Sequence, residues 1–210
     1  MAASPAPAPE SPRRSGAETR AAIRRVALEL FTASGYEATS MREIAEALGI
    51  KKASLYYHFA GKEDIVRSLF DQRGAEAEEL LAWIDTQPRT PELAKAAVLR
   101  WVESFSIDKL HGIRFLTANP LLVRTLATQT DNRIGSALAA LVDALTELLP
   151  RRTPVDVLQL RMALLSINAA VDASTHGDFS DEDILRTARH MAATVMDELL
   201  ARQGQVESGR

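Results

Sequence analysis

The chain predicts an all-α fold, with a small N-terminal three-helix helix-turn-helix domain and a larger helical domain after it. Three observations predict this. Ala and Leu dominate a chain that is 46% hydrophobic but only 5% aromatic, which suits helix packing rather than strands. Apolar residues recur at i, i+3, i+4 and i+7 in segment after segment. Capping signals and Gly or Pro breaks punctuate that pattern, giving about nine helices in total. A length of 210 residues suits one small unit and one larger one.

Residues 1–14 are rich in Pro, Ala and Ser and are expected to be a disordered tail. Arg13 and Arg14 close it, as a solvated linker or as an arm for a minor groove. The first helix starts near Ser15, with Glu18 completing a capping box. Ile23, Val26, Ala27, Leu30 and Phe31 give it one apolar face, and Gly35 ends it.

Residues 39–62 are the centre of the chain. Ser40 and Glu43 form a second capping box, and Ile44, Ala45 and Leu48 form an apolar face. Gly49 supplies the left-handed backbone of a sharp turn, and Ile50 plugs it. The next helix, Lys52 to Phe59, turns Leu55 and Phe59 inward and Lys52, Ser54, Tyr57 and His58 outward. No acidic residue occurs from Lys51 through Lys62. A merely solvated face would mix charges. This one sets aromatic rings beside cations, as a helix built for a DNA major groove does.

Gly61 is placed to cap a fourth helix that runs to about Asp85 through Ile65, Val66, Leu69, Phe70, Ala77, Leu80 and Leu81. It begins in the first domain and ends in the second, so it is the expected mechanical link. Lys62 opposes the helix dipole there, which suggests another use for its charge. Thr90 and Pro91 start a helix through Val98, Trp101, Val102 and Phe105. Short helices follow at about 108–117 and 121–127, separated by Asn119 and Pro120, then a long one at about 132–149. Thr153 and Pro154 begin a helix expected to reach His176, and Ser180 with Asp183 caps a last one to about Ala201. The domains are therefore drawn at 15–60 for DNA binding and 61–202 for effector binding and dimerisation, with 203–210 as a frayed tail.

The helix at 154–176 is apolar on two sides: Leu158, Met162, Leu165 and Ala169 form one stripe, and Leu160, Leu164, Ile167 and Val171 the other. The last helix sets Ile184, Ala188, Met191, Val195 and Leu199 beside Leu185, Ala192 and Met196. One side of each can face the core. The other wants a partner, and a two-fold copy of the same chain is the simplest one. Trp83, Trp101, Phe105, His111, Phe115, Asn168 and Asp172 are the candidates for a ligand pocket between helices. Asp172 and His176 share a helix face but lack further ligands, so no metal and no cofactor is expected.

Several classes are excluded. No run of 18 apolar residues exists, the N-terminus lacks the apolar core of a signal peptide, and there are no cysteines, which agrees with the cytoplasm. Net charge is −3, but residues 13–64 hold nine Lys and Arg against seven acids, while residues 65–210 hold sixteen against twenty. A modestly basic head on an acidic body fits a DNA binder with a separate sensing part. No nucleophile setting, phosphate loop or zinc-protease motif supports an enzyme.

The chain also resembles a known family. Arg20, Ile23, Ala27, Leu30, Phe31, Gly35 and Tyr36, then Thr39 through Ala45, then Leu55 through Phe59 with Lys62 and Glu63, are similar in order and spacing to the DNA-binding domain of TetR-family bacterial transcriptional regulators. The likeness covers about residues 18–65, and Lys51 departs from it by standing where a small N-cap is common. The resemblance implies a homodimer, through the helices at 154–176 and 181–201, on a palindromic double-stranded operator. It also implies repression relieved by a small molecule; control by a protein partner is the alternative. Lys52, Ala53, Ser54 and Tyr56 would then face base edges, and Thr39, Ser40, Tyr57, His58 and Lys62 would hold phosphates. Arg42 would do either, and Lys51 would add a cation near the phosphates.

Overall fold

The computed structural model describes residues 15–129 and 133–207; the expected N-terminal tail, with Arg13 and Arg14, lies outside them. The described residues form eleven α-helices and no strand, in two compact units that part between Lys62 and Glu63.

The first unit holds α1 (Gly16–Ser34), α2 (Met41–Leu48) and α3 (Lys52–His58). Both expected capping boxes form. Ser15 N donates to Glu18 Oε2 at 2.7 Å and Glu18 N to Ser15 Oγ at 3.2 Å, and Ser40 with Glu43 repeats these two distances. Gly35 and Gly49 carry φ of 91° and 65°, so each chain reversal uses a backbone that an L side chain resists. The α1 stripe Ile23, Val26, Ala27 and Phe31 is buried, as are Ile44, Leu55 and Phe59. Each large side chain so buried contributes about 1.5–3 kcal/mol. Lys51 precedes α3 with no side-chain cap, which leaves its ammonium free of that task.

The helix α4 (Lys62–Asp85) has its first residue in the first unit and the rest in the second, which continues through α5 (Pro91–Glu103), α6 (Ile107–Ala118), α7 (Pro120–Gln129), α8 (Arg133–Thr146), α9 (Pro154–Leu164), α10 (Ser166–Ala173) and α11 (Asp181–Glu207). A single 3₁₀ turn, Ser174–His176, follows α10. The spine is α11. Its residues Ile184, Leu185, Ala188, Ala192, Met196 and Leu199 are all buried, and it packs on α5, α9 and α10.

Three expectations change. The helix at 154–176 breaks at Leu165, where φ −93° and ψ 8° leave the helical region and the two pieces bend by 63°. Asn168 N donates to Leu165 O at 3.0 Å, an i→i+3 bond that tightens the turn. Periodicity does not reveal the bend because apolar residues continue on both sides of it. The frayed tail does not begin at Gln203. That residue is buried, its Oε1 accepts from Arg151 N at 2.8 Å, and α11 runs on to Glu207. The last helix also buries most of its two stripes as one face, so Met196 is core, while Val195 is half-buried and Met191 is exposed.

On α9 and α10 the two stripes separate as expected. Leu160, Leu164, Ile167 and Val171 are buried, whereas Leu158, Met162 and Leu165 are exposed, Met162 by 58%. The side chain of His176 lies outside the described residues.

Candidate nucleic-acid interface and effector cavity

The inward side of α3 is anchored at its end. Arg20 Nη1 donates to His58 O at 2.8 Å, and its guanidinium lies 4.3 Å from the Phe59 ring centroid. With Leu55 and Phe59 buried and His58 half-buried, the remaining side chains of α3 are exposed. Lys51, Lys52, Ala53, Ser54 and Tyr56 are exposed, and Tyr57 is 86% exposed. Lys52 Nζ sits 5.6 Å from the Tyr56 ring, and the Tyr57 and His58 rings meet edge-on at 5.2 Å. One short helix therefore presents cations, a hydroxyl and flat rings together with no acidic side chain. Ser and Lys can bond base edges, and rings can meet a thymine methyl.

Two candidate contacts have other occupations. Thr39 is only 3% exposed, and its hydroxyl donates to Gly35 O at 2.9 Å. It closes the turn between α1 and α2 and is not presented to a ligand. Lys62 Nζ donates to Tyr36 O at 2.6 Å and Glu37 O at 3.3 Å, over the Tyr36 ring. Its charge is used to satisfy carbonyls of that same turn, which accounts for a cation at the start of α4. Ser40 caps α2 but stays exposed, and Arg42 lies in the open, paired with Glu46 at 2.7 Å. Arg20 was not among the expected site residues, since its contact joins residues 38 apart.

The second unit contains a cavity of about 380 Å³. Leu69 and Phe70 of α4, Ile113 and Leu116 of α6, Leu138 of α8 and Leu164 of α9 supply apolar wall. Of the expected pocket residues, Trp101, Phe105 and Asn168 line it. The other four do not. Trp83 packs against the core under the Arg100 guanidinium. Phe115 is buried away from the cavity, and Asp172 is exposed. His111 Nε2 is bonded to Asp181 Oδ2 at 2.9 Å, and Arg114 binds the same carboxylate. Burial opposes ionisation of Asp181, but those two hydrogen bonds outweigh it and hold its pKa below the ordinary range. This cluster ties α6 to the start of α11.

The polar part of the cavity lies with residues that aromatic spacing does not select. Arg73 and Lys109 line it, and the Arg73 guanidinium is stacked 3.8 Å from the ring centroids of both Trp101 and Phe105. A signal for Arg73 was present. Val66, Phe70, Arg73, Ala77, Leu80 and Ile84 recur at steps of four and three along α4, so a cation occupies a core position.

A sequence model described as bacterial regulatory proteins, tetR family, matches residues 23–69. The HTH-type transcriptional repressor BepR of Brucella suis is 27% identical over 175 residues, covering 82% of this chain and 74% of that protein. Other curated relatives share shorter stretches, from 22% to 49% of their own length. Among solved structures, Mycobacterium smegmatis AmtR is 24% identical with a TM-score of 0.54, covering 96% of this chain and 98% of that one. FadR from Bacillus subtilis, in complex with stearoyl-CoA, is 20% identical with a TM-score of 0.54, over 83% and 96% of the two chains. The matched segment contains the whole of α2 and α3 with their capped start, glycine turn and exposed basic face. By this geometry and the family match, residues 23–69 are a DNA-binding domain of the TetR family of bacterial regulatory proteins.

Proposed function

We propose that the protein is a homodimeric repressor whose α3 reads an operator and which is released when a small molecule fills the cavity of the second unit. The observation that carries the DNA-binding half is the face of α3, where Lys52, Ser54, Tyr56 and Tyr57 are exposed together without an acid. In this reading Lys51, Lys52, Ala53, Ser54 and Tyr56 meet base edges or their flanking phosphates. Ser40, Arg42, Tyr57 and His58 fix the register on the backbone.

The dimer rests on Leu158, Met162 and Leu165 of α9 and its bend, with Met191 of α11, all exposed apolar side chains on the last long helices. A two-fold partner covers such a stripe at both copies at once. It also sets two recognition helices about 34–36 Å apart, one turn of DNA, or a multiple of that. Ligand control is supported by the cavity, four of whose lining residues lie on α4, and by a protein of the same fold that is solved with a bound acyl-CoA. A ligand shifts operator affinity only by favouring one spacing of the two reading helices over another.

Selection of bound fragments from random DNA gives the operator, and titration of Lys52→Ala then tests the reading. The substitution should cost about 1–3 kcal/mol per half-site on the operator and relax the preference at one base position. Equal losses on operator and random DNA would show a cation acting only through net charge and would overturn the assignment of α3.

A further inference from the structure

We propose that the cavity takes an apolar molecule bearing one anionic group, and that Arg73 receives that group. The charges of the site do not balance. Arg73 and Lys109 line the cavity, and among the described residues no Asp or Glu does. The carboxylate that serves both is Glu76. It accepts from Arg73 Nη1, from Lys109 Nζ at 2.8 Å and from Gln72 Nε2 at 3.1 Å. Among the described residues, one negative charge thus answers two positive ones, and the lining keeps a cation in excess.

The donors do not balance either. Arg73 Nη1 is shared between Glu76 and, at 3.3 Å, Ser104 Oγ. Nη2 is buried and has no hydrogen-bond partner among the described residues. A buried donor left unpaired on a charged group is costly unless something binds there. The Trp101 and Phe105 rings, nearly perpendicular to each other, both pack on the guanidinium without offering it a hydrogen-bond acceptor, so Nη2 is what remains for one. Burial pushes its pKa down, against the pull of Glu76, as befits a cation short of counter-charge. Carboxylates, sulfonates and phosphates all suit a planar two-donor edge. The walls of Leu69, Phe70, Ile113, Leu116 and Leu138 require the rest of the molecule to be apolar.

This rests on the reading of the cavity as the effector site, and the test separates the two. Decanoate, 1-decanol and decylamine share one chain and differ only in charge. Titration calorimetry of the full-length protein should show decanoate binding about tenfold or more tighter than 1-decanol, the share of one charge-assisted hydrogen bond. Decylamine should be weakest. In Arg73→Met the acid should fall to the level of the alcohol, and in Arg73→Lys part of the preference should return. Lys109→Met, which leaves the ring stack intact, gives a second test if Arg73→Met fails to fold, and it should lower the acid's advantage several-fold. Equal affinity for acid and alcohol in the parent protein overturns the proposal, as does an Arg73→Met variant that keeps the preference, or no binding by any of the three. Operator release by a neutral compound in that same protein would leave the regulator reading standing while removing this one.

Discussion

Replacing Lys62 by Met isolates the work of that side chain. Its ammonium donates to Tyr36 O at 2.6 Å and to Glu37 O at 3.3 Å, and lies 4.6 Å from the Tyr36 ring centroid. The short bond is charge-assisted, worth about 1.5–3 kcal/mol when fully formed. Lys62 is only partly buried, so water can solvate the freed carbonyl, and the lower half of that range applies. The longer bond adds little, and the ring contact adds about 0.5 kcal/mol at a wet site. The expected loss is about 2 kcal/mol, confined to the first unit. Native-state hydrogen exchange reads it directly, and protection of the α1 and α2 amides should fall about 10–30-fold. The salt dependence of DNA binding should stay that of the parent, because a lysine held by carbonyls releases no counterion. A phosphate-bound lysine predicts the reverse: unchanged exchange, and a log–log salt slope lower by about 0.9 per half-site. That pair of results would refute the structural role.

Other variants test the remaining architecture. Met162→Glu with Leu158→Glu should give a folded monomer by sedimentation, since both side chains are exposed, and an unchanged dimer would place the interface elsewhere. Glutamate at Leu164 or Met196 should instead unfold the second unit, because both are core. Burial opposes ionisation of Asp156, but hydrogen bonds from Thr153 outweigh it and hold its carboxyl below the ordinary value of 3.8. Its contribution is therefore present above that value and lost as pH falls below it, so Asp156→Asn should flatten the acid limb of a circular-dichroism titration. Gly49→Ala meets no atom within 4 Å, so its expected cost is the left-handed backbone alone, about 1–2 kcal/mol in a thermal or urea melt.

The first unit was legible because its signals are local. Ser15 with Glu18 and Ser40 with Glu43 lie three residues apart, and Gly35 and Gly49 mark the two places where the backbone turns left-handed. The outward face of α3 follows from two buried residues, Leu55 and Phe59, at helical spacing. Thr39 and Lys62 were not legible as turn-closing residues, since their partners are carbonyls whose positions depend on how the chain folds back. In the second unit the helices were legible and the bend at Leu165 was not, because a change of direction leaves an apolar stripe unbroken.

The cavity is not marked out by its aromatic side chains. Aromatic spacing selected Trp101 and Phe105, which line it, but equally Trp83 and Phe115, which do not. Aromatic side chains fill any core, so their spacing does not separate wall from filling. A cation in a core stripe does. Val66, Phe70, Ala77, Leu80 and Ile84 need only apolar neighbours, and an arginine at the position between Phe70 and Ala77 must find a carboxylate, a ring face or a ligand. In this fold Arg73 finds Glu76, the rings of Trp101 and Phe105, and one buried donor still unmatched. A purely structural cross-link would be complete with Glu76 and would not need Lys109 drawn to the same carboxylate at 2.8 Å. On the proposal that the cavity holds an anionic molecule, the interruption of the stripe marks the site and the second cation gives the molecule its sign.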